Sequence, residues 1–419
     1  MATYAPSSGE EFSGPGRYTR SRTATAVSVA ATASKRRRRD SDESPPTNVN
    51  KQEGGKPVAP NSSSRAEAKS TTDAVISSVV MVQPPGGFSF SQAACSYGYY
   101  IVPPNLWQPC KDATACKDSG TFSRPLRFGQ RLQNTAKCTI SQVPCRDDVP
   151  ASTPNGSERG AEGGEPDGSV ALRVDVASTK TLTESDQEDI RSQVRASILI
   201  RMFQTTFDLK PWFHLSPEAE KRGYGRLFRS PTVFEDMVKS ITGCNMKFQG
   251  TIRMNKLLCE HFGRDQAFPT PEDLKGVQAE DLKEKAKVGY RADRILRLAQ
   301  NFRDGTVDPD WLEAPERTRE EVLKFVKNLY GFGDYAAGNV AMLLGFYEEV
   351  PMDSETVRHF KDYHGVTTKS VKEVAPRVKK EYQPYAPYQF LQYWYEMIVW
   401  HEKKRDLDIH LWDVSDFSY

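Results

Sequence analysis

Two helical patterns joined by a glycine-bracketed turn constrain this chain more than any other feature. Leu329-Tyr330-Gly331-Phe332-Gly333-Asp334-Tyr335-Ala336-Ala337-Gly338-Asn339 ends one apolar periodicity over 317–329 and opens another through Ala336, Val340, Leu343 and Leu344. Gly345 then suits a helix C-terminal cap. With Gly331 and Gly333 at the corner, the backbone turns tightly and its amides approach a phosphate with no side chain between. Tyr330, Gly331, Phe332 and Gly333 are therefore candidate contacts to nucleic acid. One helical length further on, Val350-Pro351-Met352-Asp353 sets an aspartate at the start of the next helix. Free amides and the helix dipole there both favour its ionised form. An ordinary helix corner followed by a capping aspartate fits the same letters.

The rest of the chain divides by composition. Of 419 residues only 37% are hydrophobic, low for a wholly folded protein. Residues 1–84 are rich in Ser, Thr, Ala, Pro and Lys and are expected to be a disordered tail. Within it, Lys35-Arg36-Arg37-Arg38-Arg39 reads as a nuclear localisation signal or a nonspecific nucleic-acid contact. Residues 17–39 also lack acids, which leaves plastid or mitochondrial targeting as the alternative.

Residues 85–186 read as a β-rich domain with a flexible insertion at about 146–168. Phe88-Ser89-Phe90, the aromatic run 97–104, Thr121 to Arg127 and the alternating Val170 to Val176 are its expected strands. Residues 187–405 are helical, and 406–419 form a C-terminal tail. Ser230-Pro231 reads as an N-cap and first helical position, and 271–287 as a further helix. The expected fold class is α+β: a mainly helical core, a smaller antiparallel β-rich N-terminal domain and a disordered N-terminus.

A net charge of +2 means that any DNA-binding surface is a local patch. No apolar run approaches the ~18 residues that span a bilayer, so no membrane partner is expected. The seven cysteines, irregularly spaced, imply no disulfide framework, and Cys110, Cys116, Cys138 and Cys145 lack ribbon-like zinc spacing. No cofactor or metal is expected.

In this setting the hairpin and Asp353 resemble the helix-hairpin-helix (HhH-GPD) DNA glycosylase superfamily, whose Leu-Pro-Gly-Val-Gly signature precedes a catalytic aspartate after a Val-Pro pair. Ser230-Pro231 before a helix reaching Asn245, Val288-Gly289-Tyr290-Arg291-Ala292 and Tyr382-Gln383-Pro384-Tyr385-Ala386 follow the order of its 8-oxoguanine glycosylase branch. The resemblance covers about 190–400. It implies a monomer acting on double-stranded DNA with a damaged base, with Asp353 stabilising positive charge that builds on the sugar.

Tyr335 stands where bifunctional relatives carry a Schiff-base lysine, and a phenol forms no imine. The resemblance therefore implies a monofunctional enzyme that hydrolyses the N-glycosidic bond and leaves an abasic site. A noncatalytic DNA-binding module, or a bifunctional enzyme using Lys239 or Lys247, are the alternatives. The implied base pocket is Tyr335, Asn339, Phe390 and Trp394, where Asn339 matches a cysteine and Phe390 and Trp394 match a glutamine and a phenylalanine. Aromatic stacking would favour an alkylated or otherwise electron-poor base. Asn245 matches the asparagine inserted where a nucleotide flips out, although a helix C-cap explains it equally well. Tyr335 as a space-filling tyrosine, and the aromatics of 388–400 as a core stripe, are likewise open.

Overall fold

Five antiparallel strands form one sheet in the order β1-β5-β4-β3-β2: β1 Ala74–Val82, β2 Leu106–Pro109, β3 Gly120–Phe128, β4 Asn134–Val143 and β5 Val170–Ser178. The computed structural model describes residues 74–110, 120–143 and 170–412. The basic block 35–39, the insertion at 146–168, Cys116 and Cys145 lie outside these described residues. Alternation places Leu172, Val174 and Val176 of β5 and Ala136, Cys138 and Ile140 of β4 in the core.

Three expectations shift. β1 falls inside the stretch read as tail: it pairs with β5 from Ala74↔Ser178 to Val82↔Val170 while Val75, Val79 and Met81 stay exposed. With apolar residues on both faces, its sequence shows no alternation, and its order comes from the partner strand. Phe90–Cys95 is a helix (α1) capped by Ser89, and Gly98–Ile101 is a 3-10 turn, where strands were expected. Aromatic residues fit either backbone, and here burial of Phe90 and Tyr100 decides.

The helices used below are α2 Glu184–Gln193, α3 Val233–Gly243, α4 Phe248–Phe262, α5 Ala292–Arg303, α6 Arg319–Lys327, α7 Asp334–Leu343, α8 Ser354–Asp362, α9 Val371–Tyr382 and α10 Gln389–Arg405. Within 271–287 only Ala279–Lys285 is helical. The N-cap of α3 is Thr232, whose hydroxyl accepts from Glu235 N at 3.2 Å, rather than Ser230. Ser230 instead donates its amide to the Asp236 carboxylate at 2.8 Å.

Two hydrophobic cores result. One joins the inner sheet face to the C-terminal helices, through Phe122, Phe203, Phe360, Val378, Leu391 and Met397. The other unites α3 to α6, through Met237, Ile241, Leu258, Ile295, Val322 and Val326. The sheet thus shares its core with residues far beyond 186. The stretch read as a tail also packs: Ile409 and Trp412 are buried, and Trp107 Nε1 donates to His410 O at 2.7 Å. Helix α7 bridges the cores, with Ala336 to Ala341 in the second and Met342 and Leu343 in the first.

A buried ionic cluster ties the sheet to the helices. Arg124 on β3 forks onto Glu235 of α3, Nη2 to Oε2 at 2.8 Å and Nη1 to Oε1 at 3.3 Å, and Lys239 Nζ meets Oε1 at 2.8 Å. Burial alone would raise the Glu235 carboxyl, but the Arg124 and Lys239 charges overcome it and hold it at about 2. Among the described residues, no helix is long and apolar enough to cross a membrane.

Candidate active site and nucleic-acid interface

Helix α6 ends at Lys327 and α7 begins at Asp334, with Gly333 as N-cap. Gly331 carries the turn: its φ is +93°, and a Cβ there would lie 2.5 Å from Arg294 Cδ. Arg294 Nη1 donates to Gly331 O at 3.3 Å, so α5 braces the turn from behind. Tyr330 and Gly333 are exposed, and the Arg297 guanidinium covers the Tyr330 ring at 4.3 Å. Phe332 differs from the sequence expectation in that its side chain is buried in the helical core. Its aromatic ring anchors the hairpin, leaving only backbone to face a ligand.

Asp353 is the N-cap of α8. Its Oδ1 accepts from Glu355 N at 2.9 Å and Thr356 N at 3.2 Å, and Thr356 Oγ1 accepts in return from Asp353 N at 3.2 Å. These bonds favour the carboxylate, as the sequence suggested. Burial outweighs them, and the carboxyl is raised above its ordinary value. Tyr335, the second residue of α7, sets its phenol beside this carboxylate, which lowers the Asp353 pKa, while burial first and the Asp353 charge second raise that of the phenol. Both residues are half-buried, so the pair remains open to a ligand.

Asn339 is occupied within the protein: its Nδ2 donates to Tyr335 O at 2.9 Å and its Oδ1 accepts from the Tyr97 hydroxyl at 3.5 Å. Phe390 is buried, its ring stacked on Trp394 with centroids 6.0 Å apart, and so backs the site rather than lining it. Trp394 is half-buried, packs on the Tyr97 ring at 4.9 Å and donates Nε1 to Ser96 O at 2.8 Å. Tyr97 in turn packs on Tyr99 at 4.9 Å. Tyr97 and Tyr99, from the turn at 97–101, are themselves buried and back the half-buried Trp394, which is the partly exposed ring of this group. Sequence reasoning placed those tyrosines in a strand; their only signal was the density of aromatics in 97–100.

On the other side, Asn245 follows α3 in a left-handed conformation with φ of +50° and is exposed. Arg291 secures that turn: its Nε donates to Ile241 O at 3.2 Å and its Nη2 to Cys244 O, capping the last carbonyls of α3. The Tyr290 hydroxyl accepts from Asn245 Nδ2 at 3.5 Å, and its ring lies between the Arg291 and Arg294 guanidiniums at 4.5 and 4.8 Å. The Tyr290 ring is exposed, while Arg291 beside it is buried. Asn245, Tyr290, Arg294 and Gly331 therefore form one continuous surface.

The chain is 20% identical over 230 residues to the Bacillus subtilis (strain 168) "Putative DNA-3-methyladenine glycosylase YfjP", covering 50% of this chain and 75% of that protein. The chain resembles helix-hairpin-helix DNA glycosylases. No protein-family model matches it. Similar solved structures include the 8-oxoguanine glycosylase/lyase of Clostridium acetobutylicum in its apo-form (TM-score 0.47, 13% identity, 78% of this chain and 98% of that one). Another is the 3-methyladenine DNA-glycosylase of Archaeoglobus fulgidus (TM-score 0.49, 14% identity, 76% and 99%).

Lys239, one of the two alternative nucleophiles, is fully buried and ion-paired with Glu235. Lys247 is exposed at the start of α4, two residues from Asn245.

Proposed function

We propose that the protein is a monofunctional DNA N-glycosylase that hydrolyses the bond between deoxyribose and a flipped, alkylated or otherwise electron-poor base, leaving an abasic site. The observation that carries this reading is the Tyr335–Asp353 pair: a helix-capping carboxylate, accessible, with a phenol rather than an amine as its partner.

As base and sugar separate, positive charge grows on the sugar ring, and an anion fixed by two backbone amides stabilises it without reorganising. The same carboxylate orients the attacking water. Tyr335 keeps the carboxylate ionised and offers no primary amine for an imine. The half-buried Trp394, backed by Tyr97, suits a base recognised by its π-face. Asn245 fills the gap left in the duplex, while the Gly331 turn and the Arg294 and Arg297 side chains hold the backbone. Burial of Lys239 in an ion pair speaks against its use as a nucleophile. The reading also carries a monomer in the nucleus, directed by the basic block 35–39.

The test is incubation of the purified protein with duplexes carrying alkylated, oxidised, deaminated or mismatched bases. Strand breaks only after alkali are expected, on the alkylated duplexes first. Breaks without alkali would assign a lyase step, and binding with no abasic product on any duplex would leave a noncatalytic module.

Replacing Tyr335 by Phe gives a sharper check. Because Asp353 must be ionised, the rate falls on the acidic side through a pKa above the ordinary carboxylate range of about 4. Removing the phenol donor raises that pKa further, so the acidic limb of the rate profile moves to higher pH in Tyr335→Phe. An unmoved limb would separate Tyr335 from the carboxylate.

A further inference from the structure

Behind the candidate active site, three helices and the turn that follows α8 bring four donor atoms to one point. Glu396 of α10 directs Oε2 toward His364 Nε2 at 3.0 Å, His359 Nε2 at 3.4 Å and the Tyr382 hydroxyl at 2.7 Å. The Tyr382 hydroxyl is 3.4 Å from His359 Nε2 and 3.3 Å from His364 Nε2. The nitrogen and carboxylate donors all lie within 4.8 Å of one another. His359, Tyr382 and Glu396 are 1%, 1% and 8% exposed, and His364 is half-buried.

Hydrogen bonding alone serves this cluster poorly. Three donors would converge on a single carboxylate oxygen, whose own lone pairs number about two. The other oxygen, Oε1, is already taken by Gln392 Nε2 at 2.9 Å. A tetrahedral Zn²⁺ with ligands at about 2.0 to 2.1 Å requires donors about 3.3 Å apart; four of the edges lie at 3.0 to 3.4 Å, and the Tyr382–Glu396 edge is shorter at 2.7 Å. Two imidazoles and a carboxylate are donors that Zn²⁺ takes, and the Tyr382 phenol supplies a fourth oxygen, so all four positions are filled by protein, unlike a catalytic centre with one position kept for water. Glu381 lies 3.9 Å from His364 Nδ1, placed to orient that ring from its far side.

We infer that His359, His364, Glu396 and Tyr382 form a closed structural Zn²⁺ site that clamps α8, α9 and α10 together. His359 stands six residues after Asp353 on the helix that Asp353 caps, about 9 Å along its axis. The metal thus fixes the helix that presents the carboxylate, and the site exists whether or not the glycosylase reading holds. Cysteine spacing gave no hint of it, and Glu396 stands 32 residues beyond His364.

The test uses the untagged full chain, stripped with chelator and then titrated separately with Zn²⁺ and Co²⁺. One equivalent of Zn²⁺ per chain, a raised unfolding midpoint, and the intense visible bands of tetrahedral Co²⁺ are expected. His364→Gln and Glu396→Gln should weaken binding at least tenfold and remove those bands while the far-ultraviolet circular dichroism stays unchanged. Absent bands and no bound Zn²⁺ in the wild-type chain would overturn the site, as would variants that bind like wild type. Should a variant fail to fold, the wild-type Co²⁺ spectrum decides alone, weak octahedral bands counting against the proposal.

Discussion

Asp353→Asn is expected to lower the rate of base release by about 10²- to 10³-fold or more, with binding to the same duplex staying within a few-fold of wild type. The magnitude is that of removing one preorganised electrostatic contact to charge developing in the transition state. The choice of asparagine matters because Asp353 does two things. It caps α8 by accepting from Glu355 N and Thr356 N, and its charge faces the open site. Asparagine is as good an N-cap as aspartate, so the helix end persists and only the charge is lost. Alanine would also remove the cap, at a cost of about 1 kcal/mol, and would confuse the two roles. Single-turnover rates and duplex affinity, measured on the same preparation, give the comparison. Base release at wild-type rate would remove Asp353 from the chemistry.

The second large effect is on stability. Arg124→Ala is expected to cost about 3–5 kcal/mol at neutral pH, because it leaves the buried Glu235 carboxylate with Lys239 as its only remaining ionic partner in the cluster. The pH dependence follows from the depressed Glu235 pKa of about 2. A carboxyl held below its unfolded value stabilises the fold above that value, about 4.3, and the contribution fades as pH falls toward the folded pKa. Without Arg124 the Glu235 pKa rises, so the variant's carboxyl is protonated earlier on acidification. The stability gap between variant and wild type should therefore narrow between neutral pH and about pH 3, mostly below about pH 4. Urea unfolding at both values measures it. A loss below about 1 kcal/mol at neutral pH would show that the ion pair contributes no more than an exposed one.

These two residues mark how far local letters reach. Asp353 was legible because an N-cap, a Val-Pro pair and a glycine turn are short-range features whose backbone requirements show in the residues themselves. Gly331 is of the same kind, since its φ of +93° is a demand that glycine meets without strain. Arg124 was not legible: in sequence it is one basic residue in a strand, and its partner lies 111 positions away. Tyr97 and Tyr99 were seen as aromatic but assigned to a strand, because ring size and β-propensity do not distinguish a strand from a tight turn buried against α10.

The sequence alone determined the order of helices in the second half, the hairpin, the capping aspartate and the phenol in place of an amine. Each follows from periodicity, from turn chemistry or from the functional group a side chain carries. Only the tertiary structure decided that Phe332 and Phe390 face inward, that Tyr290 is exposed and Arg291 buried, and that burial raises the Asp353 carboxyl despite its cap. It alone brought His359, His364, Tyr382 and Glu396 to one point. Exposure, desolvation and convergence depend on distances through space between residues remote in the chain, and no local pattern encodes those distances.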